Sequence, residues 1–396
     1  MPDVRYCMKL LLFDTALDGH HTDYLTHLIE YWQFQQIKGE LCVVSPQGLA
    51  AQFSSEITRS SRIKFVELTV AETTKITGAS MVGRSFAAWS IYIEYAEKLR
   101  PDHALLMYFD VFQLGLWLGK KSPCPVSGIY FRPNFPQRTD PNWKEGLSLF
   151  RKKFILSRAL LNPAFATLFS LDKSAVPAIK DIARQRSVLP LSDPVKHYDL
   201  TSTQVEAQKQ ALGIADSRKV FLLFGYLDER KGIEPVLDAI AMLSREDSQQ
   251  VTLLLAGPIG NKFRPIVKAK IASIDTDAQI ICHFQNLRGG EIQTFFGMSD
   301  FVLTLYRKHV GMSSVVIRAA LSQKPLISSD FGYLGNLVQS QHLGITLDSE
   351  SPDAIREAFR QALRGEINFD RRAAEKLANE NTARTFAEQI LAGVNR

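Results

Sequence analysis

Short apolar runs recur along this chain, each followed by a loop and then an amphipathic stretch, and few folds accommodate that alternation. In the first half LLLF (10–13), ELCVVS (40–45), IKFVEL (63–68), HALLMYF (103–109) and PVSGIYF (125–131) read as strands. Between them Tyr24, Leu25, Leu28, Ile29 and Trp32 fall at helical spacing, and MVGRSFAAWSIYIEYAEKLR (81–100) predicts a long helix that Pro101 stops. Strands alternating with helices call for a parallel sheet covered on both faces. Such sheets take ligands at the carboxyl ends of their strands, where residues 14–21, Asp110 and Arg132 stand.

The pattern breaks at LPLSDPVKHYDL (189–200), where Pro190 and the turn signal Asp193-Pro194 separate two periodic regions. It then starts afresh. KVFLLFGYL (219–227), QVTLLLAGPIG (250–260), QIICHF (279–284), DFVLTLY (300–306) and PLISSDFG (325–332) read as strands. KGIEPVLDAIAML (231–243), EIQTFFGMS (291–299), SSVVIRAALSQ (313–323) and SPDAIREAFRQAL (351–363) read as helices, the last opened by a Ser-Pro-Asp cap. A chain of 396 residues is long enough for each half to bury its own core. The expected fold is α/β, with two Rossmann-like doubly wound domains over 1–195 and 196–375.

Charge and cysteine usage narrow the function classes. The 47 Lys+Arg against 41 Asp+Glu leave +6, spread along the chain, which does not argue for nucleic acid and suits an acidic ligand. Cys7, Cys42, Cys124 and Cys282 lie far apart without a CxxC pair, so neither a disulfide framework nor a zinc cluster is expected. The apolar core before Asp14 is too short for a secretion signal, and the stretch 104–119 is interrupted by Asp110 and Gln113. A cytoplasmic protein is the expectation.

Within the second half, FLLFGYLDERKGIEPVLDAI, VTLLLAGPIG and ISSDFGYLGNLV each carry a strand running into a glycine loop. Gly225, the basic pair Arg230-Lys231 and Gly232 at a helix start put cations beside free backbone N–H groups, an arrangement suited to a diphosphate. Together with Ala256-Gly257, these stretches resemble the donor-binding domain of the GT-B glycosyltransferases, in particular the retaining enzymes of glycosyltransferase family 4. The resemblance implies two domains facing a cleft, with the acceptor on the first and a nucleotide-diphosphate sugar on the second. It also implies a final helix within 376–396 that crosses back to the first domain. By the same resemblance Lys231 contacts the donor diphosphate. The family's arginine after the glycine is Tyr226 here, and Arg230 is the candidate to supply that charge.

YRKHVGMSSVVIRAALSQKPLISSD (306–330) keeps the frame of the family's donor motif but departs from it in chemistry. Two glutamates seven residues apart, one implied to touch the sugar and one the ribose, are replaced by Val310 and Arg318. His309, Gly311, Met312, Ser313 and Ser314 remain, a loop and helix start whose N–H groups and hydroxyls can hold phosphate. Arg318 is either a phosphate or carboxylate partner or a surface residue. In the first half, Asp18-Gly19-His20-His21 stands where the family's glycine loop approaches the sugar or acceptor, which assigns Gly19 to the acceptor side and His20 to the reaction. Adjacent histidines diverge, and without a third ligand they do not make a metal site. The family's histidine at the end of 125–131 is replaced by Tyr130-Phe131-Arg132, so Asp110 and Arg132 are the remaining catalytic candidates. They orient an acceptor hydroxyl or water, or they form a structural pair closing the sheet.

One stretch lies outside the resemblance. In 142–165 Lys144, Arg151, Lys152, Lys153 and Arg158 interleave with Trp143, Leu147, Phe150, Phe154 and Leu161 at roughly helical spacing. Such a helix either packs on the sheet with its charges in water or lies peripherally on the inner, anionic face of a membrane. The function read from the sequence is therefore transfer of a sugar from a nucleotide-diphosphate donor to a hydroxyl in glycan or glycolipid assembly. Retention is implied by resemblance, and neither a metal nor a cofactor is expected. The replaced glutamates leave a non-catalytic nucleotide- or sugar-binding protein, or a GT-B epimerase, as the alternatives.

Overall fold

The computed structural model describes residues 8–17, 20–131, 133, 143–183, 186–309 and 311–395, without the side chains of His20 and residues 143–145. Gly19, Arg132 and Val310 therefore lie outside the described residues. The chain forms two compact units, Met1–Pro194 with Ala383–Arg396, and Val195–Thr382.

The first unit holds β1 (Met8–Phe13), β2 (Gly39–Ser45), β3 (Ile63–Glu67), β4 (His103–Leu106), β5 (Val126–Tyr130), β6 (Phe165–Ser170) and β7 (Ser187–Pro190). They pair in the order β3-β2-β1-β4-β5-β6-β7, all parallel. Alternate side chains of β1 enter opposite cores. Leu11 and Phe13 pack with Trp89 and Tyr92 of the helix Met81–Leu99, whereas Leu10 and Leu12 pack with Tyr24, Leu25 and Trp32 of the helix His20–Phe34. Burial of both faces explains why these strands read as unbroken apolar runs.

The second unit repeats the plan with β8 (Lys219–Phe224), β9 (Val251–Ala256), β10 (Gln279–His283), β11 (Phe301–Thr304), β12 (Leu326–Ser329) and β13 (Gly344–Leu347). Their order is β10-β9-β8-β11-β12-β13, again parallel. Each sheet builds outward from its first strand and then returns to lay a later strand on that strand's other side. The switch points are β1/β4 in one unit and β8/β11 in the other, and a crevice at the carboxyl ends of such a pair is where open α/β sheets take ligands.

Three expectations change. The strand expected over 103–109 ends at Leu106, where its pairing with Phe13 ends. Met107, Phe109 and Phe112 stay buried as core residues, and Asp110 sits in the short 3-10 helix Phe109–Val111 rather than on a strand. The basic helix expected over 142–165 is Trp143–Leu160, because Asn162 and Pro163 turn the chain and the Asn162 side chain accepts the Ala164 N–H at 2.9 Å, opening β6. The returning segment also begins later than 376. The helix Arg371–Glu380 stays in the second unit through Ala374 and Leu377, and it is Ala383–Val394 that packs in the first. There a Cβ on Gly393 would stand 2.5 Å from the Phe169 ring, and the Gly393 carbonyl accepts the Thr167 hydroxyl at 3.0 Å.

Candidate functional site

In the second unit two glycines let the ends of β8 and β9 touch. Gly225 (φ +110°) donates its N–H to Ala256 at 3.0 Å, and Gly257 (φ +128°) lies so close that a Cβ there would stand 2.1 Å from the Gly225 carbonyl oxygen. Only glycine satisfies both the dihedral and the approach. After β8, Asp228 caps the single turn Glu229–Lys231, Gly232 takes φ +70°, and the helix Ile233–Ala241 begins. A side chain at Gly232 would meet the Leu305 carbonyl oxygen at 2.3 Å, so this turn is pressed against the end of β11.

That geometry aims Lys231 into the switch point. Its Nζ donates to the Phe224 carbonyl at 3.0 Å and to the Tyr306 hydroxyl at 2.9 Å, and stands 4.1 Å from the centre of the Tyr306 ring. An ammonium thus bridges the ends of β8 and β11. Tyr306 extends the contact, with its hydroxyl 3.4 Å from Ser313 Oγ and its ring edge-on to His309 at 5.2 Å. His309 in turn has Nε2 3.5 Å from the Met312 carbonyl. A Cβ added to Gly311, at φ +104°, would meet no described atom within 4 Å. Ser313 precedes the helix Ser314–Leu321 without capping it by its side chain, and Arg318 is half-buried one turn on.

The structure therefore joins Gly225, Gly257, Lys231, His309 and Ser313 through Tyr306, which sequence reasoning missed. Its signal was position, as the first residue past a buried strand at the switch point. Arg230 is not part of that set. Its guanidinium clamps Asp228 at 2.7 and 3.0 Å and is largely exposed, while its carbonyl accepts the Arg307 N–H at 2.8 Å. Met312 packs against the core beneath the loop.

The first unit shows a second cluster at its own switch point. Asp14, fully buried, follows β1, and its Oδ1 accepts the Thr15 and Ala16 N–H groups at 2.7 and 3.3 Å. The same oxygen lies 2.7 Å from Nδ1 of His21. The imidazole sits beside Tyr108 (4.9 Å between ring centres) and is stacked toward Phe131, which stacks in turn on Tyr24. Sequence reasoning had chosen His20. The side chain of His20 is not among those described; His21 is the one that shares the stripe of Tyr24, Leu25 and Leu28 facing the sheet. Asp110 accepts the Phe131 N–H at 3.0 Å and so fixes that ring's backbone. Burial, and then the Asp110 charge, push the Tyr130 phenol well above its ordinary pKa, so it stays neutral. Among the described residues no three His, Cys, Asp or Glu side chains gather as a metal site.

Residues 204–381, all within the second unit, match the family model for glycosyl transferases group 1. No curated protein matches the chain. Among solved structures, a glycosyltransferase from Rickettsia africae is similar at 13% identity and TM-score 0.69, over 97% of this chain and 96% of its own. Anabaena Alr3699/HepE in complex with UDP is similar at 13% identity and TM-score 0.70, over 98% and 100%. An alpha,alpha-trehalose-phosphate synthase (UDP-forming) from Burkholderia vietnamiensis is similar at 12% identity and TM-score 0.69, over 98% of each chain. At such identities the likeness is one of fold, and the fold is the two-domain Rossmann-like GT-B architecture.

Proposed function

We propose that this chain, whose second unit matches the group 1 glycosyl transferase family model, moves a sugar from a nucleotide-diphosphate donor to a hydroxyl acceptor. The observation that carries the reading is the Lys231 ammonium at the β8/β11 switch point, flanked by Gly225, Gly257 and the loop ending in Ser313. A leaving diphosphate gathers negative charge as its bond to the sugar breaks, and a preplaced cation with backbone N–H groups stabilises that charge. Two of the similar structures carry UDP or form it by name, which supports uridine as the first nucleotide to test. The acceptor falls to the first unit, where Asp110 serves by holding Phe131.

A thermal-shift panel of UDP-, GDP-, ADP- and dTDP-glucose tests the reading, because a ligand that binds only the native state raises the melting temperature. A rise with one nucleotide is expected. No rise with any of them removes the reading and favours a chain that binds no nucleotide sugar.

We place the acceptor side at an anionic membrane surface. The helix Trp143–Leu160 buries Leu156, Ala159 and Leu160 in the core yet leaves Leu147, Phe150 and Phe154 exposed, followed by exposed Leu161. Arg151, Lys152, Lys153 and Arg158 are exposed on the same helix, and an open groove of about 840 Å³ runs between Phe150, Phe154, Arg158, Leu161 and Arg186. Apolar side chains interleaved with cations match an anionic bilayer face, each cation adding about 1 kcal/mol near such a surface. No described helix is long and apolar enough to cross a membrane. The chain should co-sediment with vesicles containing anionic lipid and detach as salt rises. Equal recovery with neutral vesicles would refute the placement.

A further inference from the structure

We propose that the amino edge of the second sheet binds a phosphate group through Lys324 with Lys209, Lys219 and Arg371, at a site that does not depend on the transfer reading. A parallel sheet lines up the residues that precede its strands. Lys219 opens β8, Asp300 stands just before β11, and Lys324 stands two residues before β12, on three neighbouring strands. The pairing of Val302 with Leu326 brings Asp300 level with Lys324. Asp300 also reaches β8, where it accepts the Val220 N–H at 2.8 Å and lies 3.4 Å from Lys219 Nζ. The backbone fixes the turn that delivers Lys324, since Gln323 takes φ +55° and the Lys324 N–H returns to the Ala319 carbonyl at 2.9 Å. Two helices add a cation each. Lys209 comes from the last turn of the helix Ser202–Ala211, and Arg371 opens the helix Arg371–Glu380.

The charges at this edge do not balance. Burial does most to lower the Lys324 pKa; Asp300 opposes the shift, while Lys209, Arg371 and Lys219 add to it. Asp300 is already engaged by Lys219 and the Val220 N–H, and Asp370 spends its carboxylate capping its own helix through the Arg372 and Ala373 N–H groups. The half-buried Lys324 ammonium makes no hydrogen bond or ion pair with any described residue. An ammonium drawn out of water among like charges costs the fold stability until an anion joins it.

The bland alternative is a set of lysines and arginines dissolved in water. It accounts for Lys219 and Arg371, which are exposed. It does not account for a half-buried ammonium left without a partner beside them. Phosphate suits the cluster better than a carboxylate does, because its several oxygens accept from more than one cation at once and it carries more charge. The edge lies about 20 Å along β8 from Gly225, at the opposite end of the strand from the crevice at Lys231.

The test titrates inorganic phosphate into the full chain in a calorimeter, with sodium chloride at equal ionic strength as the control. Wild type and Lys231→Ala should bind phosphate alike and saturably. Lys324→Met, which keeps the length of the side chain and removes its charge, should bind about 10–150-fold more weakly. In chloride alone Lys324→Met should unfold at a higher urea concentration than wild type, because it no longer holds a partnerless ammonium. Phosphate should then raise the urea midpoint of wild type and leave that of the variant unchanged. Arg371→Gln, at an exposed position, should also weaken phosphate binding, and it keeps the test decisive if Lys324→Met fails to fold. Glycerol 3-phosphate in a parallel titration separates the two sources of the same chemistry: tighter binding than phosphate assigns the site to a phosphate ester, and weaker binding assigns it to the free ion. Phosphate that binds no better than chloride, binding that survives Lys324→Met, or a Lys324→Met midpoint below that of wild type in chloride would overturn the proposal. Loss of phosphate binding in Lys231→Ala would overturn it too, by placing the phosphate in the crevice at the other end of β8.

Discussion

Replacing Lys231 with alanine perturbs the proposed donor site at its centre. Its ammonium makes two short contacts, 3.0 Å to the Phe224 carbonyl and 2.9 Å to the Tyr306 hydroxyl, and a cation–π contact at 4.1 Å. Neither partner is an anion, so the positive charge is held in place without being neutralised, which is the state a diphosphate exploits. One charge-assisted contact is worth about 1.5–3 kcal/mol, so Lys231→Ala should weaken UDP binding about 10–150-fold. The loss should be specific to phosphate. Uridine, which lacks it, should bind wild type and variant alike in the same calorimetric titration. Lys231→Arg should not restore affinity fully, because a single methyl on Gly225 would already stand 3.2 Å from Nζ and a guanidinium is larger. Tyr306→Phe keeps the ring and loses one hydrogen bond, so its effect should be smaller than that of alanine at 231. Equal UDP affinity in wild type and Lys231→Ala would refute the placement of the diphosphate here.

Three further outcomes follow from the same geometry. Changing Ser313 and Ser314 together to alanine should lower nucleoside diphosphate affinity by about 1–3 kcal/mol in calorimetry if their hydroxyls hold phosphate oxygens, and wild-type affinity would make the loop structural. Arg318→Glu supplies the carboxylate that the family resemblance implies at this position, and should improve binding of a neutral-sugar donor relative to an acidic one; the reverse ranking would refute an anion-selecting role for Arg318. Burial lowers the His103 pKa from 6.5 to about 4, and the ring's Nε2 lies 2.9 Å from the Ser127 hydroxyl. The unfolded chain therefore binds a proton that the folded chain refuses, and stability present above about pH 6.5 falls by roughly 1.4 kcal/mol per unit toward about pH 4. His103→Asn should flatten that part of the denaturation profile, and a parallel slope in both proteins would refute the assignment.

Much of the fold was legible because both faces of each sheet are buried. Ten of the strands announced themselves as apolar runs such as LLLF and VTLLLA, and the linker as a proline-bearing break. The strands that escaped did so for local reasons. Phe165–Ser170 begins at the last residue of the basic stretch read over 142–165, which hid its start, while Ser187–Pro190 and Gly344–Leu347 are short and lie at sheet edges, where pattern is weak. Periodicity also could not show that 103–109 stops pairing at Leu106, because Met107 and Phe109 stay in the core and remain equally apolar.

Sites are harder to read than sheets because motif glycines and lysines mark where a ligand's charge goes, while the side chains that hold them are chosen by packing. Lys231 was visible from its place after Gly225, but Tyr306, which fixes the ammonium from the other side of the switch point, has no signature beyond following a buried strand. The two histidines make the same point more sharply. His21 stands three residues before Tyr24 and seven before Leu28, on the face that those two residues share. His21 Nδ1 lies 2.7 Å from the buried Asp14 carboxylate, which also accepts the Thr15 and Ala16 N–H groups. A resemblance carried by loop position alone points equally well to His20. The orientation of the first helix on its sheet is what brings His21 to the buried Asp14, and loop position alone does not carry that information.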